Sequence, residues 1–92
     1  MGSNSPTYKI EFKRAASKAL RRLPKNLLAR VHQAIDALAY EPRPQHCIRM
    51  KSNEELYRIK VGDWRVIYAV MDDVLIVLVV DIGSRQGIYQ DY

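Results

Sequence analysis

The chain has 92 residues, is 48% hydrophobic, and carries a formal net charge of +5 with a single cysteine. This length allows one domain with a modest core, and a lone cysteine excludes an internal disulfide and suits a reducing compartment. The longest apolar run, Val74 to Val80, is too short to span a membrane, and we expect a cytoplasmic protein. The positive net charge favours an anionic partner. Residues 1–7 are predicted to be a disordered leader or a leftover of cloning, and residues 8–92 a single domain.

The first half of the domain changes from a strand pattern to a helix pattern. Apolar and polar residues alternate over residues 8–12, as in a half-buried strand. Residues 13–23 and about 26–39 repeat apolar residues at helical spacing, which predicts a helical hairpin. Pro24 ends the first helix or begins the second, and the two prolines within residues 41–44 stop the pattern.

The second half is predicted to be β structure. A short candidate strand at residues 48–50 precedes three clear strand patterns, at residues 56–61, 64–71 and 74–82. The last of these is apolar on both faces, which is typical of a central strand. The sequence therefore predicts an α+β fold in the order β-α-α-β-β-β, with an antiparallel sheet and the helical hairpin packed on one face.

The segment YRIKVGDWRVIY, residues 57–68, predicts a β-hairpin that turns at Gly62-Asp63. A two-residue turn would set Val61 opposite Trp64, Lys60 opposite Arg65, Ile59 opposite Val66 and Tyr57 opposite Tyr68. One face of the hairpin is then apolar and is predicted to face the core. It consists of Tyr57, Ile59, Val61, Trp64, Val66 and Tyr68.

The opposite face of this hairpin carries Arg58, Lys60 and Arg65. Like charges directly opposite on a sheet lose roughly 0.2–1 kcal/mol relative to a neutral pair. We expect Arg65 on the open face within reach of Lys60, so that its truncation leaves folding intact. Arg85 follows the central strand, and such a group of cations could hold a phosphodiester. The alternative is a solvated sheet face with scattered basic residues.

Several other residues have both a structural and a functional interpretation. Tyr89 and Tyr92 would pack at the rim, stack on a base, or, next to several cations, accept a proton. His32 and His46 are predicted to be surface or boundary residues, and Cys47 a buried or partly buried thiol. No metal site, glycine-rich phosphate loop or nucleophile triad is recognisable in the pattern.

The stretches LYRIKVGDWRVIYAV and VVDIGSRQGIY resemble the RelE side of the RelE/ParE toxin superfamily, and the resemblance covers the chain from Tyr8. Members of that family are toxins of toxin–antitoxin pairs. RelE-type toxins cut mRNA in the ribosomal A site, whereas ParE-type relatives inhibit DNA gyrase.

The resemblance also implies roles for individual residues in a metal-free reaction without a cofactor. Tyr89 matches the tyrosine that acts as base or orients the attacking 2′-hydroxyl, and Arg85 matches the arginine at the leaving group or transition-state charge. Arg65 and Lys60 match the phosphate-binding arginine and the second lysine of the preceding strand. Arg58 stands where the best-known member has lysine, and arginine does not readily give up a proton.

The resulting hypothesis is a ribosome-dependent mRNA endoribonuclease that inhibits translation. Its expected partners are a RelB-like antitoxin and the ribosome with mRNA in the A site, with no membrane and no metal. The alternatives are a ParE-like gyrase inhibitor with the same fold and a non-catalytic RNA-binding module.

Overall fold

A computed structural model describes residues 7–51, 53 and 55–84 of the protein. The elements are β1 (Lys9–Phe12), α1 (Arg14–Arg21), α2 (Lys25–Leu38), β2 (Ile48–Arg49), β3 (Leu56–Val61), β4 (Trp64–Met71) and β5 (Ile76–Ser84). The predicted α+β class and element order are confirmed. The short candidate strand before the β3–β4 hairpin forms as β2, which gives the sheet five strands.

The five strands form one mixed sheet in the order β1-β5-β4-β3-β2. The pairs β2–β3, β3–β4 and β4–β5 are antiparallel, as predicted, whereas β1 runs parallel to β5, with Lys9 beside Ile76 and Phe12 beside Val79. The prediction of a wholly antiparallel sheet was therefore wrong for β1. The helical hairpin carries the chain from β1 at one edge of the sheet to β2 at the other edge, so β1 lies beside the last strand and not beside the next one.

Strand β5 is an interior strand, as its apolar pattern predicted, but it begins later than the apolar run does. Val74 and Leu75 lie in the turn after β4 and are 56% and 46% exposed. Leu75 has a φ of 55°, in the left-handed region that is uncommon for a residue with a side chain. The turn was expected at Asp72-Asp73, and its extension into the apolar run was missed because no glycine or asparagine marks it.

Both helices start without a side-chain cap. Pro24 is the N-cap residue of α2, with a φ of −57°, so the proline begins the second helix. Lys13 is the N-cap residue of α1, and the first turn of that helix contains no acidic residue. Cations at a helix N-terminus oppose the helix dipole, so packing of the apolar face must stabilise α1.

The main core lies between the helices and one face of the sheet. Its buried residues are Ala16, Leu23, Val31, Ile35 and Leu38 from the helical region, and Tyr57, Ile59, Val61, Val66, Tyr68, Val77, Val79 and Ile82 from the strands. Fully burying one such aliphatic side chain contributes about 1.5–3 kcal/mol. No helix in the described part of the chain is long and apolar enough to cross a membrane.

A second, smaller cluster lies on the opposite face, which we call the open face. It is formed by Met50, Leu56 and Ile67, with Ala69 and Val80 packed against them. This cluster leaves the part of the open face beside the β3–β4 turn to basic side chains.

Candidate functional site

The β3–β4 hairpin has the predicted register. Lys60 pairs with Arg65 and Val61 with Trp64 around the two-residue turn. Gly62 has a φ of 61°, and Asp63 is not among the described residues with positive φ. This combination is the one that a type II′ turn requires, with glycine at its first central position. The turn therefore fixes two cations directly opposite each other.

These cations line a pocket of about 330 Å³ on the open face. Its described lining residues are His46, Ile48, Arg58, Ile59, Lys60 and Arg65, and none of them is acidic. Lys60 is exposed and Arg58 is half-buried, so the charge of the pocket is accessible from solvent. Arginine offers a planar fork of donors to a phosphate, and lysine adds a mobile point charge.

Arg65 lies on the predicted face but is not open to solvent. It is 7% exposed, and its Nη1 donates to the carbonyl oxygens of Trp64 at 3.2 Å and Gly62 at 3.5 Å. Its position opposite Lys60 is as predicted, whereas its burial was not foreseen from the sequence. Because its guanidinium is held against the turn, its orientation is fixed before any ligand arrives, which lowers the entropy lost on binding.

An irregularity in the sheet brings one carboxylate onto the same face. The register of β4 and β5 shifts between Ile67 and Tyr68, so that Ile67 pairs with Asp81 and Tyr68 with Val79. Cross-strand partners share a face, so Asp81 lies on the open face. Its Oδ1 accepts a hydrogen bond of 2.8 Å from the backbone N–H of Ile82. The sequence pattern gave no sign of this shift.

A second group of polar side chains lies at the far end of the sheet; we call it the arginine–tyrosine network. Arg43 donates to Tyr57 Oη at 3.0 Å and makes two bonds to the Asp72 carboxylate, at 2.8 and 3.3 Å. Arg49 also donates to Tyr57 Oη, at 2.9 Å, and Tyr8 donates to Asp72 at 2.6 Å. Both guanidinium carbons lie 5.4 Å from the centroid of the Tyr57 ring.

These contacts change the protonation equilibria of the network. Hydrogen bonds from Arg49 and Arg43 lower the pKa of the Tyr57 phenol. Those from Arg43 and Tyr8 lower the pKa of the Asp72 carboxyl. Tyr68 stacks on Tyr57 with ring centroids 5.8 Å apart, and burial raises its pKa. Within the network, charged groups are satisfied by other groups of the protein.

The structure brings together three of the predicted site residues, Arg58, Lys60 and Arg65. Arg85 and Tyr89, and also Tyr92, lie outside the described residues, so their predicted roles remain predictions.

His46 is exposed, as predicted, and the structure shows that it also lines the pocket. The pairing of Ile48 with Arg58 brings the chain before β2 to the pocket, and this register was the missing signal. His32 is a surface residue, 3.8 Å from Asp36. Cys47 is partly buried. No described group of three or more His, Cys, Asp or Glu residues could hold a metal ion.

The fold and sequence are similar to those of known toxins. Residues 10–89 match the family described as ParE toxin of type II toxin–antitoxin system. The candidate toxin RelE1 of Methanocaldococcus jannaschii is 30% identical over 87 residues, covering 91% of this chain and 97% of that protein.

Two solved structures extend this similarity. RelE in the archaeal RelE–RelB complex of Pyrococcus horikoshii superposes with a TM-score of 0.76 at 31% identity, covering 88% of this chain and 98% of that one. The isolated Escherichia coli RelE toxin has a TM-score of 0.75 at 23% identity, covering 91% and 93%, and is similar in fold.

Proposed function

Because this chain belongs to the ParE toxin family of type II toxin–antitoxin systems and is a RelE-type toxin, we propose that it cuts mRNA in the ribosomal A site. The observation that carries the proposal is the pocket lined by Arg58, Lys60 and Arg65. Lys60 and Arg65 lie directly opposite each other, so their positive charges are concentrated at one place on the open face, which favours the binding of an anion there. The phosphodiester backbone of RNA is such an anion.

The proposed reaction uses the RNA's own 2′-hydroxyl and needs no metal ion. The 2′-oxygen attacks the adjacent phosphorus, the bond to the 5′-oxygen breaks, and the products are a cyclic phosphate and a 5′-hydroxyl. Arg65 and Lys60 bind the phosphate and stabilise the extra negative charge of the transition state. Arg58 adds a further donor, while Arg85 and Tyr89 keep the roles that the family resemblance implies.

The ribosome supplies what the pocket lacks. Sequence-specific recognition of single-stranded RNA generally needs aromatic or hydrogen-bonding groups that read splayed-out bases. The described lining of the pocket is basic and aliphatic apart from His46. The proposed substrate is therefore mRNA that the A site holds in a conformation ready for in-line attack.

The proposed partner outside translation is a RelB-like antitoxin. The solved relatives from Pyrococcus horikoshii and Methanococcus jannaschii are complexes of RelE with RelB. In this chain, residues 12–35 contain seven Lys and Arg and no Asp or Glu, whereas the other residues contain eight Lys and Arg and ten Asp and Glu. The helical hairpin is thus the strongly basic part of the molecule, and an acidic antitoxin segment would neutralise it.

Inhibition of DNA gyrase is the second candidate function, because the matching family is described by the name ParE. A gyrase inhibitor would act by protein binding and would not need the cations of the pocket. A supercoiling assay and a translation reporter, run on the same purified protein, separate the two functions.

The decisive experiment maps mRNA ends by primer extension after brief expression of the protein in cells. We expect growth arrest, new 5′ ends within translated codons, and relief of both by co-expression of the neighbouring antitoxin gene. Purified protein should cut mRNA on a programmed ribosome and hardly cut the same RNA when it is free. Efficient cleavage of free RNA, or arrest with relaxed plasmid DNA and intact mRNA, would contradict the proposal.

A further inference from the structure

His46 differs chemically from every other described residue of the pocket. The pocket is lined by Arg58 and Lys60 from β3, Arg65 from β4, His46 from the segment before β2, and two isoleucines. A guanidinium group does not release its proton in proteins. Histidine is the side chain suited to exchange a proton between about pH 5 and 8. Among the described lining residues, His46 therefore has the chemistry of a proton carrier at neutral pH.

The position of His46 makes it accessible to a ligand of the pocket. The side chain is exposed, and it precedes β2, whose Ile48 pairs with Arg58. A ligand phosphate held by Lys60 and Arg65 would therefore have an imidazole at the rim of the same pocket.

The proposed cleavage requires two proton movements that the cations alone do not perform. The 2′-hydroxyl must lose its proton as the 2′-oxygen–phosphorus bond forms. The 5′-oxygen must gain a proton as its bond to phosphorus breaks. Arginine and lysine stabilise the negative charge on the phosphate in the transition state, but a base must accept the proton of the 2′-hydroxyl.

We infer that His46 is the general base that accepts the 2′-hydroxyl proton, while solvent returns a proton to the 5′-oxygen. The inference rests on the proposed nuclease function. The family resemblance leaves two roles open for Tyr89, as the base or as the residue that orients the 2′-hydroxyl, and this inference assigns Tyr89 the orienting role. It also explains how arginine at position 58 is compatible with catalysis, since the proton acceptor lies elsewhere in the pocket.

The test is a pH profile of single-turnover cleavage on programmed ribosomes. For the wild type, the rate should rise with pH and then level off, as expected when a general base must lose its proton before it can act. His46→Gln should lower the rate by about 10²–10⁴-fold, the usual contribution of a general base, and abolish the rise. Ribosome binding and thermal stability should be unchanged, because residue 46 is exposed.

The matched control is His32→Gln, which removes the other histidine of the chain from the exposed side of α2, where it pairs with Asp36. This variant should keep the wild-type rate and profile. A second test uses His46→Gly, whose cleavage should recover in part when free imidazole is added.

The outcomes separate this inference from the proposed function. If the wild type does not cut mRNA on ribosomes, the proposed function fails. If the wild type cuts and Lys60→Ala does not, but His46→Gln keeps the wild-type profile, only the role of His46 fails. A slower His46→Gln enzyme with the wild-type pH dependence would also overturn the assignment, since His46 would then be a positioning residue.

Discussion

The cationic pocket and the arginine–tyrosine network use the same basic side chains in different surroundings. In the network, Arg43 is held by the Asp72 carboxylate and the Tyr57 hydroxyl, all within hydrogen-bonding distance. In the pocket, Lys60 faces Arg65 across the hairpin, and a cavity free of described acidic residues lies beside them. Arg43 stabilises the fold through the Asp72 carboxylate, whereas the cations of the pocket border a cavity that an anionic ligand could enter.

The largest expected effect is the loss of cleavage when the opposed cations are truncated one at a time. Lys60→Ala and Arg65→Ala should each reduce the single-turnover rate by about 10²–10³-fold, or ~3–4 kcal/mol, which is typical for one transition-state donor. Arg43→Ala, in the network, should leave the rate within a few-fold of the wild type. Equal losses for all three variants would mean that the two regions do not differ in function.

The same pair should differ in stability, which urea unfolding measures. Arg65→Ala should lower the free energy of unfolding by roughly 1–2 kcal/mol, because it removes hydrogen bonds from a buried guanidinium to the turn carbonyls. Lys60→Ala should be neutral, or stabilising by about 0.2–1 kcal/mol, because it only relieves repulsion. An Arg65→Ala variant as stable as the wild type would contradict this result and would match the expectation from the sequence that truncation leaves folding intact.

The buried tyrosine beside the network should matter for stability and not for cleavage. Tyr68 is fully buried, and its hydroxyl donates to the Pro42 carbonyl at 2.7 Å. Tyr68→Phe leaves that carbonyl without this donor and should cost about 1–3 kcal/mol. Thermal unfolding measures the cost, and cleavage by the folded fraction should be unchanged.

Acid should weaken the network through Asp72. The folded-state pKa of Asp72 lies below its ordinary value because of hydrogen bonds from Arg43 and Tyr8. Its contribution to stability is therefore fully present above about pH 4, near the unfolded value, and is lost as the pH falls through the folded value. Asp72→Asn should be less stable than the wild type at pH 7, with the gap narrowing in acid. Asp73→Asn, which removes the same charge from the same turn, should show no such gap.

The smallest effect concerns the ionisation of Tyr57. Because hydrogen bonds from Arg49 and Arg43 lower its pKa, Tyr57 should ionise at lower pH than an ordinary tyrosine. Subtracting the ultraviolet alkaline titration of Tyr57→Phe from that of the wild type should reveal one phenol that titrates early. A difference curve centred at or above pH 10 would contradict the described contacts.

The sequence by itself determined the features that depend on local alternation and turns. The apolar periodicities gave both helices, and the Gly62-Asp63 turn gave the β3–β4 register and therefore the three cations on one face. Local patterns suffice here because side chains alternate between the faces of a strand, so the turn decides which residues meet.

Tertiary structure alone decided the contacts between segments distant in sequence. Nothing in the local pattern indicates that β1 lies parallel to β5, that the register shift between β4 and β5 places Asp81 on the open face, or that Arg65 is buried. The meeting of His46 with Lys60, and of Arg43 with Asp72, depends in the same way on how the chain crosses the sheet. These arrangements follow from packing the whole core at once, because each strand's neighbour and register is set by the burial of all the others.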